Sequence, residues 1–214
     1  MSKSYAAFLF DVDGTLLTSI ASAERAWTHW AIKHGVDVEK FLPTIHGVRN
    51  VDSIRSLNLP GIDVEKEAAA MEAAEIADTS DVSEIPGAAA FLASLPPGSW
   101  ALVTSATLPL AQARLGAAGI ALPPVAITAE EVSRGKPDPQ GYRLAAERLG
   151  VDPADCLVFE DAPAGIAAGE AAGADVVVIT ATHNHPIGGD LPKLRDYRGV
   201  TVKIGADGRL SLVE

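Results

Sequence analysis

The chain has 214 residues, of which 48% are hydrophobic, enough to fill one large domain or one domain carrying a smaller insert. Its 17 basic and 28 acidic residues give a formal charge of −11, and no Lys/Arg cluster offers a face to nucleic acid. Cys156, the single cysteine, excludes an internal disulfide, no apolar run approaches the roughly 18 residues of a membrane span, and no signal peptide is recognisable, so a cytoplasmic protein without a membrane partner is expected. Nothing in the sequence suggests an obligate assembly, and a monomer is expected.

In chain order, residues 5–10 form an apolar run that predicts a first strand. Residues 16–80 then contain no convincing strand. Leu16, Ile20, Ala23, Trp27, Trp30 and His34 recur at helical spacing, and residues 64–77 form a second, Ala/Glu-rich helix. The polar stretch at 78–87, ending in Pro86-Gly87, suits a linker. Further strands are expected at 100–104, 125–128, 156–160 and 175–180. They are continuously apolar, as in parallel sheets covered on both faces. Between them, one helix ends at Gly150, and another has Pro163 near its start and Gly173 just past its end. The last residues predict a hairpin turning at Asp207-Gly208. The fold class expected is α/β: a doubly wound, mainly parallel, Rossmann-like sheet with an inserted small all-helical domain. The expected division is a core of residues 1–16 and 84–214 and an insert of residues 17–83, with hinges near Leu17 and Glu84.

Ligands of open parallel sheets bind beyond the carboxyl ends of the strands. Asp11 and Asp13 follow the first strand, Thr104 and Ser105 the second, and Glu160 and Asp161 the fourth. Four acids converging on one edge repel one another unless a divalent cation lies among them, and oxygen-only donors favour Mg²⁺. Lys136, in the loop "SRGKPDP", is placed to bind a phosphate oxygen and to reduce its repulsion from an acidic nucleophile. On an extended backbone residues 11 and 13 share a side. Asp11 is therefore expected to attack phosphorus and form an aspartyl-phosphate, with Asp13 as general acid and base. Gly14 allows the sharp turn that follows. Cys156 is expected to be a buried small hydrophobe. His29, His34, His183 and His185 lack acidic or cysteine company at ligand spacing and are expected to be structural or solvated.

The stretches "FLFDVDGTLL", "LVTS", "RGKPDP" and "VFEDAPAG", in that order, resemble the four motifs of the haloacid dehalogenase superfamily. The resemblance implies Asp11 as nucleophile and metal ligand, and Asp13 as acid/base that binds Mg²⁺ through its main-chain carbonyl. It implies Thr104 and the Ser105 backbone as phosphate binders, Lys136 as the residue steadying nucleophile and phosphate, Asp161 as a metal ligand, and Glu160 as a ligand directly or through water. The insert matches the family's small helical cap. Asp13 separates the chain from dehalogenases, which lack that aspartate, and from phosphonate-cleaving members, which typically carry alanine there. Thr18 precedes Ser19 where many members read DGTLxDS.

The cap segment "TIHGVRNVDSI" resembles the substrate-specificity loop of the helical-cap group, placing His46, Gly47 and Arg49 at the substrate. "AERAWTHWAIKHG" followed by "IHGVR" is similar to the sugar-phosphate phosphatases, a branch that includes 2-deoxyglucose-6-phosphate and glycerol-phosphate phosphatases. The implied activity is Mg²⁺-dependent hydrolysis of a small sugar or polyol phosphate monoester. Two alternatives stand beside it. A β-phosphoglucomutase-like isomerase is disfavoured by Ala23, where that branch has His four residues before Trp27. A non-catalytic phosphoacceptor module would place its aspartate on a middle strand and lacks a helical insert.

Overall fold

The computed structural model describes residues 3–183 and 186–213. In chain order the elements are β1 (Ala7–Phe10), β2 (Leu17–Thr18), α1 (Ile20–Lys33), α2 (Val38–Phe41), α3 (Asn50–Ser56), α4 (Val64–Ala77), β3 (Ser83–Glu84), α5 (Ala88–Ala93), β4 (Trp100–Val103), α6 (Leu108–Ala117), β5 (Ala126–Ile127), α7 (Gln140–Leu149), β6 (Cys156–Glu160), α8 (Pro163–Ala172), β7 (Asp175–Ile179), β8 (Lys193–Leu194), β9 (Thr201–Ile204) and β10 (Leu210–Val213). Six of the strands form one parallel sheet in the order β5-β4-β1-β6-β7-β8.

The continuous apolar strands follow from burial on both sides. In β1, Phe8 and Phe10 join one core cluster while Ala7 and Leu9 join the other, the two-residue alternation of a strand. The first cluster gathers Phe91 of α5, Leu115 of α6 and Leu210 and Leu212 of β10. Phe10 stacks on Phe159 of β6 with ring centroids 4.4 Å apart. The second cluster sets Tyr142, Ala145 and Ala146 of α7 and Ile166, Ala168 and Ala172 of α8 against the opposite face. Gly150 and Gly173 end α7 and α8 in the left-handed conformation, as the sequence predicts. The β9–β10 hairpin is also present, with the Gly205 N–H donating to the Arg209 carbonyl.

After β1 the chain moves to β4 and β5 on one side, then returns to β6 on the other. That reversal leaves a crevice at the carboxyl end of β1, flanked by β4 and β6. All three strand ends that carry the predicted acids and hydroxyls open there.

The helices α1–α4 have their own apolar cluster, centred on Trp27, Trp30, Phe41, Ile54 and Met71. Three features depart from the sequence expectation. Residues 16–80 are not strand-free, because β2 pairs antiparallel with β3 where the chain leaves and re-enters the core (Leu17 opposite Glu84, Thr18 opposite Ser83). A two-residue strand has no periodicity to read, and its partner is remote in sequence. Leu16 is not on the first helix; it is buried in the main core, and α1 begins at Ile20. The edge strand β8 is likewise too short to be recognised. Among the described residues no helix is long and apolar enough to cross a membrane.

Candidate active site

Asp11 continues β1, its N–H donating to the Phe159 carbonyl at 3.0 Å. The chain then folds back sharply: the amides of Thr15, Leu16 and Leu17 all donate to the Val12 carbonyl. Gly14 adopts φ +91°, and a Cβ there would overlap the Asp161 carboxylate. A glycine is therefore required twice, for conformation and for space. Thr15 Oγ1 donates to Asp161 Oδ1 at 3.4 Å. The expected pairing of strand ends is thus realised: the turn after β1 lies against the residue that follows β6.

Behind Asp11 lies Lys136, whose Nζ is 2.6 Å from both Asp11 Oδ1 and Glu160 Oε1. Glu160 is fully buried and saturated with donors. Its Oε1 also accepts from Tyr142 at 2.9 Å, and its Oε2 accepts from the N–H groups of Asp161 and Ala162 at 2.9 and 3.1 Å. Carboxylate oxygens of Asp11, Glu160 and Asp161 lie within 4.8 Å of one another, a group that could hold a metal ion.

The electrostatics follow from burial. Desolvation, reinforced by Glu160 and only partly offset by Lys136, pushes the Asp11 carboxyl well above the usual carboxylate range. Burial likewise raises Asp161 to about 6, against the opposing hydrogen bond from His183. Burial works against the Lys136 charge, but Asp11 and Glu160 outweigh it and raise the ammonium's pKa. Counting Glu75, five carboxylates stand at this crevice against the cations Lys136 and Arg114. A further positive charge among oxygen donors would relieve that imbalance, so the donor set fits a hard divalent cation.

Asp11, Asp13, Ser105, His46, Gly47 and Asp161 all line a cavity of about 70 Å³ between the sheet edge and the inserted helices. Thr104 and Lys136 lie beside it, lining a narrower adjoining space with Ser105. Thr104 Oγ1 accepts from the Ala106 N–H at 3.0 Å, which fixes the turn after β4. Gly47, at φ +74°, brings the cap loop so close that a Cβ would stand 2.8 Å from Ala162 Cβ, and its carbonyl accepts from Ser105 Oγ at 2.8 Å. His46 faces Glu24 at 3.5 Å, and burial lowers its pKa despite that neighbour.

Arg49 lines the adjoining space with Thr104, Ser105 and Lys136. Its Nε donates to Asp52 at 2.6 Å, and its other nitrogens reach the carbonyls of Val132 (2.9 Å), Ser133 (3.4 Å) and Ala129 (3.5 Å). The guanidinium therefore ties the cap to the loop before Lys136, and it is not among the residues lining the Asp11–Asp13 cavity. His183 finds acidic company through the fold. It is not merely solvated: its Nε2 is 3.2 Å from Asp161 Oδ2, and that contact raises its pKa. Spacing could not reveal this, because His183 follows β7 and meets Asp161 only through the fold. His185 lies outside the described residues.

Four side chains at the site went unrecognised in the sequence. Tyr142 is the first, on α7. The others are Arg114 on α6, Glu75 on α4 and Asn50 on α3, which are hydrogen-bonded in series to Asp13. A lone arginine in "LPLAQARLGA" was the single available signal.

The sequence profile of the haloacid dehalogenase-like hydrolases matches residues 5–173. The chain belongs to this family. Hexitol phosphatase A of Escherichia coli (strain K12) is 43% identical over 183 residues, covering 84% of this chain and 85% of that protein. 2-Deoxyglucose-6-phosphate phosphatase 1 of Saccharomyces cerevisiae is 34% identical over 200 residues, covering 84% and 81%. Among solved structures, a hydrolase from Pseudomonas syringae superposes with a TM-score of 0.79 at 25% identity, covering 89% of this chain and 94% of that one. The α/β core with its helical insert is thus the architecture of a haloacid dehalogenase-like hydrolase, as the four motifs imply.

Proposed function

We propose that this hydrolase is a Mg²⁺-dependent phosphatase of small sugar or polyol phosphates, working through an aspartyl-phosphate on Asp11. The observation that carries the proposal is the setting of Asp11: buried, held by Lys136, and sharing a small cavity with Asp13 under the inserted helices. The similarity to the hexitol and 2-deoxyglucose-6-phosphate phosphatases supports the substrate class.

In this mechanism Asp11 attacks phosphorus while the phosphate oxygens are received by Lys136, Thr104 and the Ser105 backbone. Asp13 donates a proton to the departing oxygen, then takes one from the water that hydrolyses the acyl phosphate. Asp11, Asp161 and the Asp13 main-chain carbonyl would hold the cation. Glu160, whose oxygens already accept four hydrogen bonds, orients Lys136 and would reach the cation, directly or through water, only by giving up one of those bonds. A divalent ion there supplies charge neutralisation for the transferring phosphoryl group. Residues 17–83 act as a cap on a core of residues 1–16 and 84–214, with His46 and Gly47 facing substrate. The protein acts as a cytoplasmic monomer. Ala23 lines the cavity, so the histidine of the mutase branch has no counterpart at that place, which favours hydrolysis over isomerisation.

The test is phosphate release from a panel of sugar, polyol and nucleotide phosphates with Mg²⁺, with EDTA, and with Asp11→Asn. Release confined to sugar or polyol phosphates and abolished in both controls is expected. Release from nucleotides alone, or none from any sugar phosphate, overturns the proposal.

A further inference from the structure

Asp13 is not free in its cavity. Its Oδ1 accepts from Ser19 Oγ at 2.7 Å and from Arg114 Nη1 at 3.0 Å. Arg114 is itself buried, and its Nη2 donates to Glu75 Oε1 at 2.9 Å. Glu75 is 3% exposed, and its Oε2 accepts from Asn50 Nδ2 at 2.6 Å. Arg114 belongs to the core helix α6, whereas Glu75 and Asn50 belong to α4 and α3 of the cap. A continuous hydrogen-bonded chain, buried at Arg114 and Glu75, thus runs from two cap helices to the carboxylate assigned the proton transfer. Arg114 Nε has no hydrogen-bond partner among the described residues, so the two carboxylates alone fix the guanidinium.

A buried arginine held between two carboxylates has one orientation, because its rigid fork must satisfy both. That orientation sets where Asp13 points. Asp13 and Asp11 stand on the wall of the same cavity. The leaving-group oxygen lies on the far side of phosphorus from Asp11, where a fixed donor is needed.

We infer that Arg114 and Glu75 are positioning residues that align the Asp13 carboxyl with the leaving-group oxygen, so that the seated cap takes part in the proton transfer. The inference rests on the phosphatase mechanism proposed above. In the first half-reaction the Asp11 oxygen–phosphorus bond forms as the phosphorus–alkoxide bond breaks, and the alkoxide oxygen takes the proton from Asp13. With acetyl phosphate the same bond forms, but acetate leaves as a stable anion and takes no proton. Phosphorylation of Asp11 by acetyl phosphate therefore does not need an aligned Asp13, whereas phosphorylation by a polyol phosphate does.

The experiment compares the parent protein with Arg114→Lys and Glu75→Gln, with Mg²⁺ present. Formation of the acid-stable phosphoenzyme is followed by rapid quench with glycerol phosphate and with acetyl phosphate. Lysine keeps the charge but replaces the rigid fork, whose Nη1 and Nη2 donate separately to Asp13 and Glu75, with a single nitrogen on a flexible stem. A misaligned general acid forfeits part of a contribution of about 10²–10⁴-fold, so phosphorylation by glycerol phosphate should fall about 100-fold in Arg114→Lys and about 10-fold in Glu75→Gln. Phosphorylation by acetyl phosphate should stay within about threefold of the parent, because its leaving group needs no acid. Equal losses with both donors would show a structural or phosphate-binding role and overturn the inference, as would unchanged rates with glycerol phosphate. Should Arg114→Lys fail to fold, Glu75→Gln decides by the same contrast. A parent that releases no phosphate from any sugar or polyol phosphate refutes the phosphatase mechanism instead, and the inference falls with it.

Discussion

Gly165 sits in the first turn of α8, directly beneath Glu160, and its replacement by alanine tests the packing of the whole acidic site. A helical glycine replaced by alanine ordinarily gains about 0.5–1 kcal/mol. Here the added Cβ would overlap the Glu160 carboxylate. The obstructing group is no flexible tip: both Glu160 oxygens are hydrogen-bonded, to Lys136, Tyr142 and two main-chain amides. Overpacking a rigid core costs about 1–3 kcal/mol. Displacing Glu160 from Lys136 also forfeits a charge-assisted hydrogen bond of about 1.5–3 kcal/mol. Net of the helix gain, Gly165→Ala should destabilise by about 2–5 kcal/mol, and Lys136 should lose one of its two carboxylate partners. Gly116 on α6 is the internal control, since a Cβ there meets nothing within 4 Å. Gly116→Ala should be neutral or stabilising by up to about 1 kcal/mol. Urea denaturation followed by circular dichroism gives both values, and phosphate release reports the site. If Gly165→Ala proves as stable as the parent and as active, Glu160 is not held as described and the account of Lys136 fails with it.

Three further predictions concern titration, the cap and the cysteine. Asp161 is buried and its carboxyl is raised from 3.8 to about 6, so the folded state holds that proton more tightly than the unfolded one. Its contribution is fully present below pH 4 and is lost as pH rises through about 6, a change of about 3 kcal/mol. In EDTA, urea denaturation of Asp161→Asn should therefore gain on the parent by roughly that amount between pH 4 and pH 7; a constant difference refutes the assignment. Mg²⁺ should shrink the gap at pH 7 by stabilising the parent alone. Arg49→Ala should cost about 1–2 kcal/mol, because the hydrogen bonds to Val132 and Asp52 are lost. Unchanged stability with a raised KM would refute this structural role and leave Arg49 the substrate-binding role expected from sequence. Cys156 is buried, which pushes its thiol up to about 12. A disulfide reagent at pH 8 should label it only as fast as the protein unfolds, and immediate stoichiometric labelling would contradict that burial.

The chemistry of the strand ends was legible in the sequence. Asp11, Asp13, Lys136 and Asp161 stand in short motifs, and each motif is a local solution to a local demand. A strand must be apolar until it stops, a turn as tight as that after Asp11 needs Gly14, and a helix that starts at Pro163 must end near Gly173. Parallel pairing then follows from alternation of strand and helix, so the convergence of three strand ends could be expected before any contact was seen. What the sequence could not convey are the contacts made by single side chains across long separations. Arg114 meets Asp13 across 101 residues and Glu75 across 39. His183 reaches Asp161 only because β7 lies beside β6, and Arg49 meets the carbonyl of Val132, in a loop it has no local reason to meet. Propensity and periodicity act over a few residues and leave a recurrent trace. A buried ion pair is decided by which helix faces happen to meet, and a lone arginine or glutamate in a helix looks the same in sequence whether it ends in solvent or against the catalytic carboxylate.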